Sequence, residues 1–428
     1  MNMISGAKAL PRTSGKAAGV GLLTAAMLSI VVAAPARADP LSFEQAIARA
    51  QANAPSLQGK RLGAQASQAA RGAAGALPDP KLSLGIDSFP ISGPLAFKPS
   101  QDNFTWVKMG VSQDIPNPAK RRAQRNRADA DINAAEAEVA LEARTVEVGT
   151  AVAWIKLAFA QQRLAVVDKL RGQLDRLVRI TPSSVAAGTA RPAQTLAGRQ
   201  SLAELDDRRE DLIAETDRAR AELTRWTGDV DPSIAGQVPN FVVDRSILRP
   251  SLDQNPLLAP VEARIGQASA DVLLAEADRK SDFGVEAAYQ HRDPRFGDYV
   301  SAGITVSLPF FTRNRQNALI AARQAQAGQA DAEREAALRA LAADLEARLA
   351  DHAMHHAQWM RSRRTLEPLA RERVGLETAS YGAGRASLVE VVDAHIALVD
   401  AALTTLDREA LVEIDGARLT LTYRSAGR

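Results

Sequence analysis

Glu390 and Asp393 stand three residues apart, and on a helix that spacing sends both carboxylates off the same side. Alone, such a pair is an ordinary solvated helix face. Where several chains bring copies together it becomes a crowded acidic ring, which raises carboxylate pKa values and draws in cations. The other ligand-like residues are His352, His355 and His356, preceded by Asp351. Spacing of i, i+3, i+4 places two imidazoles on one helical face and so permits a metal contact. His352 also falls in a seven-residue apolar series, however, and packing or hydrogen bonding in a helix seam is the favoured role. A third group is basic: Lys120, Arg121, Arg122, Arg125 and Arg127. It reads either as solvated helix charge or as a contact for lipid headgroups or a neighbouring chain.

Other chemistry is excluded. The chain has no cysteine, which removes disulfides, thiolate metal sites and Cys nucleophiles. Gly382-Ala383-Gly384 lacks the strand, crossover and distal acid of a dinucleotide loop, and Asp129-Ala130-Asp131-Ile132-Asn133 lacks the central Gly and terminal Glu of a calcium loop. No HExxH, GxSxG or phosphate-binding GxxxxGK[ST] occurs. No nucleophile and base, or paired acids in a pocket motif, stand out as a hydrolase would need. The expectation is no catalytic residue and no cofactor.

The elements that must position Glu390 and Asp393 are helical. Only 18 of 428 residues are aromatic, while 46% are hydrophobic, mostly Ala, Val and Leu, and 24% are charged; this favours long helices packed side by side. Two stretches nearly free of Pro and Gly, 119–180 and 313–380, would each form a rod on the order of 90 to 100 Å at 1.5 Å per residue. In the first, Ile132, Val139, Val146, Ala153, Ala160, Val167 and Leu174 recur every seven residues, a seam that needs partner helices. In the second, Leu338, Leu345, His352, Trp359 and Leu366 do the same. Each rod ends in a Gly-bearing turn and returns, over 190–227 and 386–424.

Four strand candidates precede the rods in pairs, 81–89 with 103–113 and 282–290 with 299–308. The alternation is clearest in the last, where Val300, Ala302, Ile304, Val306 and Leu308 interleave with Ser301, Gly303, Thr305 and Ser307. Strand lengths suit a tilted bilayer crossing, and soluble hairpins are the alternative. The same order of features occurs twice, which predicts two repeats, 39–227 and 257–428, joined by a linker at 228–256 with prolines at 232, 239, 250 and 256. Residues 1–38 read as a secretory signal peptide: Lys8, Arg12 and Lys16, an apolar run from Val20 to Ala34, then Ala36-Arg37-Ala38. Removing those four cations turns the formal charge from +3 to −1, so the basic pI is no argument for nucleic acid.

Four strands cannot close a membrane barrel, because open edges in lipid leave backbone groups unpaired; three chains would supply twelve. At this point the sequence resembles the outer membrane efflux family, the TolC-type channels, over essentially the whole mature chain. Within that family it is most similar to the outer-membrane components of heavy-metal efflux systems. The resemblance is carried by Leu41-Ser42-Phe43-Glu44-Gln45-Ala46, Asn53-Ala54-Pro55, Val111-Ser112-Gln113-Asp114-Ile115-Pro116, Val306-Ser307-Leu308-Pro309-Phe310-Phe311, and above all Tyr381-Gly382-Ala383-Gly384-Arg385-Ala386-Ser387-Leu388-Val389-Glu390-Val391-Val392-Asp393-Ala394.

The resemblance implies a mainly α fold with a small β part: a homotrimer with a twelve-stranded barrel in the outer membrane of a Gram-negative bacterium, continued by a long α-helical barrel in the periplasm. It implies a periplasmic adaptor and an inner-membrane proton-driven pump as partners, outer-membrane lipid around the barrel, and a passive conduit in place of catalysis. Its helical turns would receive the adaptor at Val185, Gly188 and Thr189 in turn one and at Tyr381, Gly384, Ser387 and Leu388 in turn two, with Glu390 and Asp393 as the acidic aperture. Divalent heavy-metal cations are the expected cargo. A multidrug or type I secretion channel and a soluble periplasmic coiled-coil scaffold are the alternative readings.

Overall fold

The computed structural model describes residues 40–186, 192–250 and 252–424. The chain begins with two short helices, α1 (Phe43–Asn53) and α2 (Pro55–Arg71). Ser42 caps α1 and shares a reciprocal capping box with Gln45, which satisfies two otherwise orphaned N–H groups. Proline opens α2, and it opens α3 (Pro118–Ala186) and α4 (Pro192–Thr227) as well; at the first helical position its missing donor costs nothing. Strands β1 (Lys81–Asp87) and β2 (Trp106–Ile115) precede α3. The second half runs α5 (Arg245–Leu248), a 3-10 turn at Leu252–Gln254, α6 (Ala259–Ala277), β3 (Phe283–His291), β4 (Tyr299–Val306), α7 (Gln316–Arg361), α8 (Glu367–Gly382) and α9 (Leu388–Tyr423).

The 69 residues of α3 span roughly 100 Å at 1.5 Å each. Its seven-residue seam is the structural spine: Val146, Ala153, Ala160, Val167 and Leu174 are all buried, the first against α1 and α2, the next two in a cluster shared with α1, α4 and α9, and the last two against α4 and α9. Around Ala151 to Ala160 almost every residue is buried, because α1 crosses α3 there and the chain segment before it adds a third layer. Trp154 fixes that crossing. Its Nε1 donates to the Leu41 carbonyl at 3.0 Å, and its ring meets Phe43 edge-on at 5.7 Å.

The segment from 228 onward wraps the rods as a belt. Leu41 forms a parallel bridge with Ile234, Phe241 meets Phe43 at 5.7 Å, Asp244 caps α5, Arg249 grips Glu346 of α7 at 2.6 Å, and Asn255 donates to the Thr422 carbonyl of α9 at 3.1 Å. A Cβ on Gly416 would lie 2.7 Å from that of Phe241, so the belt touches α9 backbone directly.

The second seam departs from the seven-residue expectation. Leu345 is fully buried, yet Leu366 is 44% exposed. The cause lies between them: Ser362–Leu366 is π-helical, and one i→i+5 turn adds a residue to the ladder, rotating everything beyond it out of register. Arg408 of α9 enters this bulge, reaching Ser362 Oγ and donating to the Gln358 carbonyl at 3.3 Å.

Candidate functional site

The strands form one antiparallel sheet in the order β1-β2-β3-β4. Register decides its character. Leu82, Leu84 and Ile86 lie opposite Val111, Met109 and Val107; Val111, Met109 and Ile115 lie opposite Ala287, Tyr289 and Phe283; Val285, Ala287 and Phe283 lie opposite Ile304, Ala302 and Val306. Side chains alternate between faces, so one face is apolar apart from Gln113 and, at its edge, His291, and the other carries Ser83, Lys108, Ser112, Glu286, Gln290, Ser301 and Thr305. The apolar face is exposed: Leu84 is 71% accessible and Ile304 76%. An exposed apolar field this large marks an interaction with another apolar phase. Both edge strands, β1 and β4, offer unpaired backbone within this sheet. No helix among the described residues is long and apolar enough to cross a membrane.

At the far end of the rods, α8 ends at Gly382 and the chain turns at Gly384, whose φ of +72° is left-handed and suits glycine alone without strain. Ser387 then caps α9. Its backbone N donates to Glu390 Oε2 at 2.6 Å, and its Oγ accepts from the Glu390 N–H at 3.4 Å. Hydrogen bonding to its carboxyl from the Ser387 backbone N–H first, and from the Ser387 side chain second, holds Glu390 below the usual carboxylate range. The expectation of a raised value rested on crowding between chains; within one chain the cap acts in the opposite sense. Glu390 and Asp393 are both exposed while Leu388, Val391, Val392 and Ala394 between and around them are buried, so the two acids share one open face.

The expected tip residues divide. Gly188 and Thr189 lie outside the described residues, as does the side chain of Val185 near the end of α3. Gly384 and its neighbour Arg385 are exposed. Leu388 is buried with Val167, Leu174, Val178, Leu205 and Val392, and Tyr381 packs on the same cluster; these two support the turn from beneath.

The three histidines take separate roles. His355 Nδ1 lies 2.7 Å from Asp415 Oδ2. His352 Nδ1 is buried with no hydrogen-bond partner, and burial pushes its pKa down, favouring the neutral ring. The His356 ring stands 6.3 Å from His352 and meets Trp359 edge-on at 5.6 Å. Among the described residues no group of three or more His, Cys, Asp or Glu is placed to hold a metal ion.

The chain matches the family model for outer membrane efflux proteins over residues 46–229 and 247–422. It belongs to the outer membrane efflux protein family. That double match coincides with the two halves of the fold. Members of this family are homotrimeric, passive channels that work with adaptor proteins and inner-membrane pumps, so the chain is an outer-membrane efflux channel and has no catalytic role. Among curated relatives, the cobalt-zinc-cadmium resistance protein CzcC of Cupriavidus metallidurans is 23% identical over 292 residues, covering 67% of this chain and 69% of its own. Among solved structures, CusC superposes with a TM-score of 0.76 at 15% identity, covering 90% of this chain and 92% of CusC. The CmeC outer membrane channel of Campylobacter jejuni gives 0.74 at 13%, covering 89% and 85%. These likenesses establish the TolC-like channel fold.

Several side chains that organise this channel carry no local sequence signal. Arg163 of α3 joins Glu215 of α4 and Asp407 of α9. Arg292, 5% exposed, pins the two loops above the sheet: it donates to the Asn103 carbonyl at 3.1 Å and the Gly297 carbonyl at 2.8 Å, and stacks 4.0 Å above Tyr299. Glu409 and Glu413 on α9 are half-buried, and desolvation raises both carboxyl pKa values. Only a charged residue at a packed position could have flagged them, and packing is not visible in sequence.

Proposed function

We propose that this efflux channel exports divalent heavy-metal cations, handed to it by an inner-membrane pump through a periplasmic adaptor. The observation that carries the reading is the 23% identity to a cobalt-zinc-cadmium resistance protein across two thirds of both chains. The exposed Glu390 and Asp393 at the start of α9 agree with it, since ionised carboxylates concentrate cations where the path is narrow. In this reading three copies pool their strands into a twelve-stranded barrel, β1 of one copy pairing with β4 of the next, because edges cannot stay open in lipid. The apolar sheet face meets lipid and the polar face lines the lumen. Two structural repeats, 39–227 and 257–428, then alternate around the tube with the 228–256 belt outside.

The turns after α3 and α8 meet the adaptor, at Val185, Gly188 and Thr189 and at Gly384 and Ser387, with Tyr381 and Leu388 holding the second turn in shape. The conduit performs no chemistry: it supplies a polar, water-filled path and an electrostatic filter. The test is deletion and complementation in the native host. Loss of the channel lowers tolerance to zinc, cobalt or cadmium and the wild-type chain restores it. Unchanged metal tolerance with lowered tolerance to organic antimicrobials would refute the cargo assignment. For the aperture, Glu390→Ala with Asp393→Ala raises single-channel conductance or abolishes block by divalent cations in planar bilayers; unchanged currents would refute it.

A further inference from the structure

The helical end of the sheet carries a cationic and aromatic rim that the channel reading does not use. Of the basic run at the start of α3, Lys120 is spent on Asp278 at 2.8 Å, Arg121 on the Gly75 carbonyl at 2.7 Å, and Arg127 on Asp271 and Asp131. Arg122 remains. Four other cations join it from distant sequence: Arg279 and Lys280 just before β3, and Arg313 and Arg315 just after β4. All five are exposed, and among the described residues none has an ion pair or side-chain hydrogen bond. The acids of this end are largely occupied. Asp278 and Asp282 face Lys120, and Asp114 faces Lys81 at 2.6 Å; among the described residues Asp79, Glu276 and, on the polar face of the sheet, Glu286 carry no ion pair.

The rim is a built structure. Asn117, 3% exposed, donates through Nδ2 to the Ala277 carbonyl at 3.2 Å, the Lys280 carbonyl at 3.3 Å and Asp282 Oδ1 at 2.9 Å, and its Oδ1 accepts from the Lys120 N–H at 2.8 Å. Ser307 N donates to the Asp282 carbonyl at 2.9 Å. The start of α3, the turn before β3 and the segment after β4 are thereby locked at one level. Immediately beside these cations the apolar field of the sheet continues into Leu308, Phe310 and Phe311, which are 59%, 77% and 87% exposed.

Aromatic rings beside free cations at the boundary of a lipid-facing sheet fit one partner: aromatics sit at headgroup level, and guanidinium forks match phosphate. The geometry points to this rim as a binding surface for the phosphate headgroups of acidic phospholipids in the periplasmic leaflet of the outer membrane. The inference rests on the outer-membrane placement of the family and is independent of the exported cargo. Anionic headgroups gather at basic clusters of this kind, so each copy would carry its own retained shell of acidic lipid.

The test uses the full-length protein, solubilised as the assembled channel and examined by native mass spectrometry with dimyristoyl phosphatidylglycerol or dimyristoyl phosphatidylcholine added. The acidic lipid is retained about tenfold more than the zwitterionic one, and its retention falls as salt rises from 0.05 to 0.5 M, roughly the range over which the screening length drops from above 10 Å to below 5 Å. Combined R279Q, K280Q, R313Q and R315Q brings the two lipids to parity with conductance intact. Lys98→Gln, an exposed change beyond the opposite end of the sheet, leaves the preference unaltered. Phe310→Ser with Phe311→Ser lowers retention of both lipids. Equal retention of the two lipids by the wild-type channel overturns the inference. So does a quadruple variant that falls apart into single chains while the wild type shows no lipid preference, since the cations then serve contact between copies.

Discussion

Replacing Gly149 by alanine should destabilise the channel, although the same exchange elsewhere in α3 should stabilise it. Gly149 sits mid-helix, where alanine is favoured by about 1 kcal/mol. A Cβ there, however, would stand 2.4, 2.7 and 2.8 Å from Cζ2, Cε2 and Cη2 of Trp226, whereas carbon atoms pack at about 3.5 to 4 Å. The ring must retreat by roughly 1 Å. It is held from behind: Nε1 donates to Glu222 at 3.2 Å, Arg225 lies 4.9 Å over the ring, and the ring packs against the cluster of Ala50, Ala54, Leu57 and Val146. Overpacking of this kind costs about 1 to 3 kcal/mol, so the net change is about 0 to 2 kcal/mol unfavourable. Gly172, in the same helix with nothing within 4 Å of its would-be Cβ, is the control and should gain up to about 1 kcal/mol as alanine. Thermal unfolding of the detergent-solubilised protein, followed by circular dichroism, gives opposite shifts in midpoint. Trp226→Leu in the Gly149→Ala background should recover part of the loss. The reasoning fails if Gly149→Ala raises the midpoint as much as Gly172→Ala.

Four further outcomes follow from the same structure. Glu390→Ala removes half of the α9 capping box and should loosen that helix end, seen as faster amide exchange over the first turn, whereas Asp393→Ala should leave exchange there unchanged. Leu345→Ala, in the fully buried cluster with Leu349, Leu419 and Tyr423, should lose about 2 to 5 kcal/mol in the same thermal assay. Arg163→Met leaves Glu215 and Asp407 facing each other; because both acids are more than a third exposed, the loss should be about 1 kcal/mol or less and should grow at low salt. Burial lowers the His352 pKa from 6.5, so the folded state binds fewer protons than the unfolded state below that value. Stability from this group is present above pH 6.5 and is lost as pH falls through the folded pKa, and His352→Gln should flatten the stability profile in that window.

What the sequence determines here is whatever repeats within one element. A seven-residue period along α3, alternation in β4, the Ser387 and Glu390 spacing and the absence of cysteine are local facts, and the helices, strands and excluded chemistries follow from them. The tertiary structure decides everything that depends on which elements meet. Strand register turns four modest alternations into one apolar face, because a single-residue slip of any one strand would have sent its whole apolar set to the other side. The π-helical turn at Ser362–Leu366 breaks the second seam, since Arg408 from α9, 42 or more residues away in sequence, enters it. Of five basic residues at the start of α3, three are consumed by partners as far as 158 residues away and Arg125 is half-buried beside Gly75, leaving Arg122 to join Arg279, Lys280, Arg313 and Arg315. Charge is written in the sequence; whether a charge is free is set by long-range packing, because only the assembled fold brings its counter-ion within reach.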